Sequence, residues 1–122
     1  MNSVKSVKVE RRRAPRISTR LPMAVMDGDK AFVVTTKNIS TSGAYCEVGR
    51  FFAPMTKFHI KLELPTRPKS IRIRCEGVVV RMDPPTAQVR RRQYHMALFF
   101  QDLDTHAREA IGRYVQERVL PA

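Results

Sequence analysis

The chain has 122 residues, one domain of ordinary size, and at 43% hydrophobic and 28% charged it carries the material of a folded core. Its formal net charge of +12, from 23 Lys and Arg against 11 Asp and Glu, asks for an anionic partner: a nucleotide, a nucleic acid, or an acidic protein or membrane surface. No apolar run approaches the ~18 residues of a membrane span, and the opening MNSVKSVKVE lacks the apolar stretch of a secretory signal, which predicts a cytoplasmic protein.

Residues 1–9 alternate polar and small apolar side chains and read as a flexible arm; the domain is expected over residues 10–120. The arm runs into Glu10-Arg11-Arg12-Arg13-Ala14-Pro15-Arg16, a density of positive charge that folding does not require. Pro15 argues against a helix through this cluster, because it lacks a donor and pushes the preceding residue out of the helical region. An extended, loop-like segment is expected.

Strand signals begin at residue 21. LPMAVM, the turn DGD and the β-branched AFVVTTKNIS form one unit, and AYCEV follows the turn TSG. KFHIKLEL has the strictest alternation, with Phe58, Ile60, Leu62 and Leu64 on one face and Lys57, His59, Lys61 and Glu63 on the other. SIRIRCEGVVVRM changes apolar phase: Ile71, Ile73 and Cys75 precede Gly77, and Val78, Val80 and Met82 follow it, which predicts a bulge or bend at the glycine. DPPT breaks the chain and QYHMALFFQ supplies a last strand, whose adjacent Phe99 and Phe100 must point to opposite sides, one into the core and one beneath a helix. That helix is announced by Leu103, Ala107, Ile111, Tyr114, Val115 and Val119 on one stripe, with Asp104 at the N-cap and Pro121 as a stop.

These elements predict a mainly β fold: a small antiparallel barrel of about six strands with a C-terminal amphipathic α-helix packed on it. Cys46 and Cys75 lie on apolar strand phases and read as buried free thiols, and His59, His95 and His106 share no ligand spacing, so no metal or cofactor is expected. No nucleophile–base pair, paired carboxylates or phosphate-cradling glycine loop occurs, which argues against an enzyme. Arg90-Arg91-Arg92 reads as a solvated hairpin flank.

Two short segments carry chemistry. Arg12-Arg13-Ala14-Pro15-Arg16 fits RxxxR, preceded by Arg11, and Asn38-Ile39-Ser40-Thr41-Ser42-Gly43 fits (D/N)xSxxG. The second alone is an ordinary turn, in which Asn and Ser bond the local backbone and Gly takes a positive φ. The pair, in this order and ahead of this strand pattern, resembles the PilZ domain, a bacterial receptor family for the second messenger cyclic di-GMP. The resemblance implies that Arg12 and Arg16 contact guanine edges and phosphate. It implies that Asn38 and Ser40 hydrogen-bond a guanine, and that Gly43 permits the turn and a close backbone approach. Arg11, just ahead of the motif, goes in relatives with binding of a stacked pair of ligands. Arginine suits this ligand, since its planar fork matches O6 and N7 of guanine, pairs with phosphate and stacks on a purine. The implied device is an arm that is loose without ligand and clamps with it, presenting a new face to an unidentified effector protein. Two alternatives stand beside this receptor: a basic nucleic-acid-binding barrel, disfavoured because the six phenylalanines and three tyrosines fall mostly on core phases, and a PilZ-like adaptor that binds protein alone.

Overall fold

The computed structural model describes residues 15–119. Seven strands and one helix follow in chain order: β1 (Ile17–Ser18), β2 (Pro22–Asp27), β3 (Lys30–Ile39), β4 (Gly43–Val48), β5 (Lys57–Leu64), β6 (Ile71–Asp83), β7 (Tyr94–Gln101) and α1 (Thr105–Val119). All pairings are antiparallel, in the order β1-β3-β2-β5-β6-β7-β4, and β4 returns to pair with β3. The circuit from β3 back to β3 closes a barrel of six strands, so its walls present no free edge. The expected architecture is present. The short β1, which lies where a loop was expected, adds to β3 with Ile17 opposite Ile39 and Ser18 opposite Asn38.

The interior is built by alternation. In β5, Phe58, Ile60, Leu62 and Leu64 are buried and their neighbours exposed, as the apolar phase dictates. In β6 the phase change lies elsewhere than predicted. Gly77 stays in register opposite Phe58 and Phe100, and the inward phase runs on through Val79. The register shift falls between Val79 and Arg81, where Val80 is extra and exposed. Gly77 has a different task. A Cβ there would lie 2.3 Å from Cδ1 of Ile60, so the glycine lets a bulky side chain fill the barrel. The turn between β2 and β3 is tight, with Asp27 opposite Lys30 and Gly28 at φ 66°.

Helix α1 covers one part of the barrel. Its cap is the expected one: the Ala107 N–H donates to Asp104 Oδ1 at 2.7 Å. Leu103, Ala107, Ile111, Tyr114 and Val115 are buried, joined by Ala110, and belong to the same core as the strands. At about 1.5–3 kcal/mol for each large apolar side chain buried, this stripe outweighs any surface ion pair on the helix. Cys46 and Cys75 are free; Cys46 is buried and Cys75 partly so, and burial pushes their thiols up to about 12 and about 11.

Candidate functional site

The turn that joins β3 to β4 is held by its own serines. The Ser40 N–H donates to the Gly43 carbonyl at 2.9 Å, and the Ser42 N–H donates to Ser40 Oγ at 3.1 Å. Ser40 and Ser42 hydroxyls lie 3.0 Å apart, and the Phe100 N–H reaches the Ser42 carbonyl at 2.9 Å, which ties the turn to β7. Ser40 is fully buried. Gly43 does not carry the positive φ expected of it; its role is proximity. A Cβ on Gly43 would stand 2.0 Å from the Leu98 carbonyl oxygen, so β4 and β7 approach this closely only with glycine there.

Next to the turn lies a surface cavity of about 510 Å³, within the range that holds small ligands. Across its floor a row of outward side chains crosses four strands: Asn38 on β3 opposite Tyr45 on β4, Tyr45 opposite Ala97 on β7, and Ala97 opposite Arg81 on β6. Each end of the row sits at a register shift, one between Thr36 and Asn38 and one between Val79 and Arg81. This placement has a direct consequence. In β3 the inward phase runs through Val34 and Thr36 and would continue to residue 38; the extra residue Lys37 sends Ile39 inward and Asn38 outward. In β6 the extra Val80 sends Met82 inward and Arg81 outward. Two bulges thus turn the row's two terminal polar side chains out of the barrel and onto one cavity.

Arg16 arrives at the same place from outside the barrel. Thr36 Oγ1 donates to the Thr19 carbonyl at 2.7 Å and accepts from the Leu21 N–H at 2.9 Å, and the Thr19 N–H donates to the Lys37 carbonyl at 3.1 Å. These bonds fasten the segment ahead of β2 along β3. Arg16 Nη1 then donates to Asn38 Oδ1 at 2.8 Å.

At the far end the polar groups are coupled. Tyr45 donates to Asp83 Oδ2 at 2.5 Å, Arg81 pairs with the same carboxylate at 3.2 Å, and the Arg81 guanidinium lies over the Tyr45 ring at 5.6 Å. His95 stacks on that ring at 5.3 Å. The tyrosine hydrogen bond, with help from Arg81, holds the Asp83 carboxyl below its ordinary range, while burial and the same bond push the Tyr45 hydroxyl up. Nearby, the bond from Arg20, 2.8 Å away, lowers Glu47.

Of the residues singled out in the sequence, Arg16 and Asn38 meet on the cavity. Ser40 and Gly43 stand behind it, in the turn and in the β4–β7 contact, and Arg11 and Arg12 lie outside the described residues. Sequence reasoning missed Tyr45, Arg81 and Phe99. Phe99 was expected beneath the helix if not in the core; Phe100 takes the core, and Phe99, 47% exposed, lines the cavity instead. The adjacent phenylalanines did signal that one ring leaves the core, but only barrel closure decides what it meets. Among the described residues no group of three or more His, Cys, Asp and Glu is placed to hold a metal ion, and no helix is long and apolar enough to cross a membrane.

The sequence model of the family described as PilZ domain matches residues 10–117. Solved structures that share the fold at low identity include the following three. The inhibitor of motility (MotI/DgrA) of Bacillus subtilis has a TM-score of 0.75 at 18% identity, covering 87% of this chain and 50% of that one. MrkH, described as a c-di-GMP-dependent transcription regulatory factor, gives 0.63 at 14% identity over 90% of this chain and 52% of its own. The PilZ domain of CeSA from a cellulose-synthesizing bacterium gives 0.57 at 16% identity over 85% of this chain and 97% of that domain. The chain therefore spans about half the length of the first two and nearly all of the third. No curated protein sequence matches it.

Proposed function

Because the chain belongs to the PilZ domain family, a family of cyclic di-GMP receptors, we propose that it binds cyclic di-GMP in the cavity between Asn38 and Arg81 and couples that binding to an effector protein. The observation that carries this reading is the hydrogen bond from Arg16 to Asn38, which joins the last arginine of RxxxR to the first residue of NxSxxG on one cavity.

The chemistry of the pair supports a guanine. Arg16 occupies Oδ1 of Asn38, so the amide offers its Nδ2–H donors, beside the donors of a guanidinium. Donors set side by side suit the O6 and N7 acceptors of a guanine edge. Phe99 offers an exposed ring for purine stacking, and Ala97, small and central in the row, leaves room for a flat base. Arg81, at the far end, is the cation for a phosphate or the second guanine. Ser40 and Gly43 serve through the turn: Ser40, buried and bonded to Ser42 and Gly43, holds its shape rather than reaching the guanine itself, and Gly43 lets β7 come close enough to bring Phe99 to the site. Arg12 and Arg11 complete the segment, Arg12 as the partner of Arg16 and Arg11 toward a second, stacked ligand. A charge-assisted contact contributes about 1.5–3 kcal/mol and micromolar affinity requires about 8 kcal/mol, so three or four such contacts with stacking suffice after the ordering of the arm. The effector and the cytoplasmic location belong to the same proposal.

Isothermal titration with cyclic di-GMP, with GTP and a short DNA duplex as controls, tests it. Saturable heat with cyclic di-GMP alone is expected. Heat with DNA that collapses steeply as salt rises, and none with cyclic di-GMP, would replace the receptor with a nucleic-acid-binding barrel.

A further inference from the structure

A second outward row crosses the wall on the other side of the barrel. Val33 on β3 lies opposite Ala24 on β2, Ala24 opposite Lys61 on β5, and Lys61 opposite Arg74 on β6. Around it Pro22, Ala24, Val33, Lys61, Arg72 and Arg74 border a shallow cavity of about 360 Å³. Three features of this face have no use in holding the barrel together. Lys61 and Arg74 are like charges directly across a strand pair, an arrangement that weakens a sheet. Neither they nor Arg72 makes an ion pair within 4.0 Å among the described residues, although Glu63 is the register partner of Arg72. Val33 is 67% exposed beside them.

We propose that this face docks an acidic protein segment that carries an apolar side chain between its carboxylates, the apolar group resting on Val33, Ala24 and Pro22 and the carboxylates on Lys61, Arg72 and Arg74. A bound carboxylate relieves the repulsion between Lys61 and Arg74 and gives the unpaired cations their partners. Three observations select this occupant. No aromatic side chain among the bordering residues offers a platform for bases, so a nucleic acid strand fits poorly. A second copy of the chain brings its own +12 charge and is repelled. An acidic segment meets complementary charge and covers exposed apolar surface. The proposal stands apart from what the cavity at Asn38 binds: no side chain bordering one borders the other.

Fluorescence anisotropy with a labelled peptide of alternating glutamate and leucine tests it, against the glutamine–leucine analogue and a short DNA duplex. The full chain is expected to bind the acidic peptide saturably and the neutral one about tenfold more weakly. Val33→Asp and Arg74→Glu are each expected to lose about tenfold, whereas Arg90→Glu/Arg91→Glu, a larger change of net charge elsewhere, stays within about twofold. Arg74→Glu keeps the test clear of misfolding, because its carboxylate faces Lys61 and its melting temperature should equal or exceed that of the parent. No saturable binding, an equal loss in the Arg90→Glu/Arg91→Glu variant, or DNA binding that follows Val33 and Arg74 would overturn the proposal.

Discussion

Between β3 and β6 the barrel wall runs by two routes. Through β4 and β7 it is interrupted by bulges at Lys37 and Val80, and its outer row carries Asn38, Tyr45, Ala97 and Arg81. Through β2 and β5 every register is continuous, and the outer row carries Val33, Ala24, Lys61 and Arg74. The irregular route has its polar groups tied together, Arg16 to Asn38 and Tyr45 and Arg81 to Asp83. The regular route leaves its cations unpaired among the described residues. A bulge sacrifices ladder regularity to re-aim one side chain, and here two of them converge on one cavity, the one proposed to take the nucleotide. The uninterrupted strand surface with unmatched charge is instead the face proposed to dock an acidic segment.

The largest expected effect breaks the close β4–β7 contact beside the proposed nucleotide cavity. Gly43→Val drives side-chain carbon into the Leu98 carbonyl and should cost about 3 kcal/mol in denaturant unfolding, whereas Gly77→Ala, which meets only the tip of the Ile60 side chain, should cost about 1 kcal/mol. Equal losses at the two glycines would remove the special standing of the β4–β7 contact. Next, Arg16→Ala should weaken cyclic di-GMP binding by about 2 kcal/mol, roughly thirtyfold, in a calorimetric titration. Arg81→Ala should weaken it by about 1 kcal/mol, roughly fivefold, because Asp83 already shares its charge. On the regular side, Arg74→Glu should add about 0.5 kcal/mol by replacing repulsion across β5 and β6 with attraction, seen as a melting temperature about 2 °C higher.

The smallest effect is that of acid. Asp83 and Glu47 have folded-state values below their ordinary ones, so the stability they contribute is present above about pH 4 and is lost as pH falls through those lowered values. Both groups serve the β4–β7 side. Hydrogen exchange compared at pH 7 and pH 3 should therefore show amides of β4 and β7 losing protection before those of β2 and β5; the reverse order would contradict the assignment.

What was legible in the sequence is what short-range periodicity dictates. The alternation of Lys57–Leu64 and the capped stripe of α1 depend on neighbours within a few residues; the first stands as read and the second from Leu103 to Val115, the side chain of Val119 and Pro121 lying outside the described residues. The bulges were not legible in place, because a bulge is decided by two partner strands at once. The phase change after Gly77 was visible, but β5 holds Gly77 in register and the slip is taken up at Val80, against β7. The same applies to the site. RxxxR and NxSxxG pointed to Arg16 and Asn38 by motif, whereas β1 and the Thr36 bonds that fasten Arg16 along β3 give no local pattern. Tyr45 faces Asn38 across the β3–β4 hairpin, whereas Arg81 and Phe99 join the cavity through the pairing of β4 with β7 and β7 with β6, strands far from β3 in the chain.

The most direct test is a titration of isotope-labelled protein with cyclic di-GMP, read as backbone amide shifts. Shifts should concentrate at Asn38, Ser42, Tyr45, Ala97 and Phe99 while Ala24, Val33, Lys61 and Arg74 stay still. Shifts centred on the β2–β5 row, or none at saturating ligand, would contradict the assignment of the bulged side to the nucleotide.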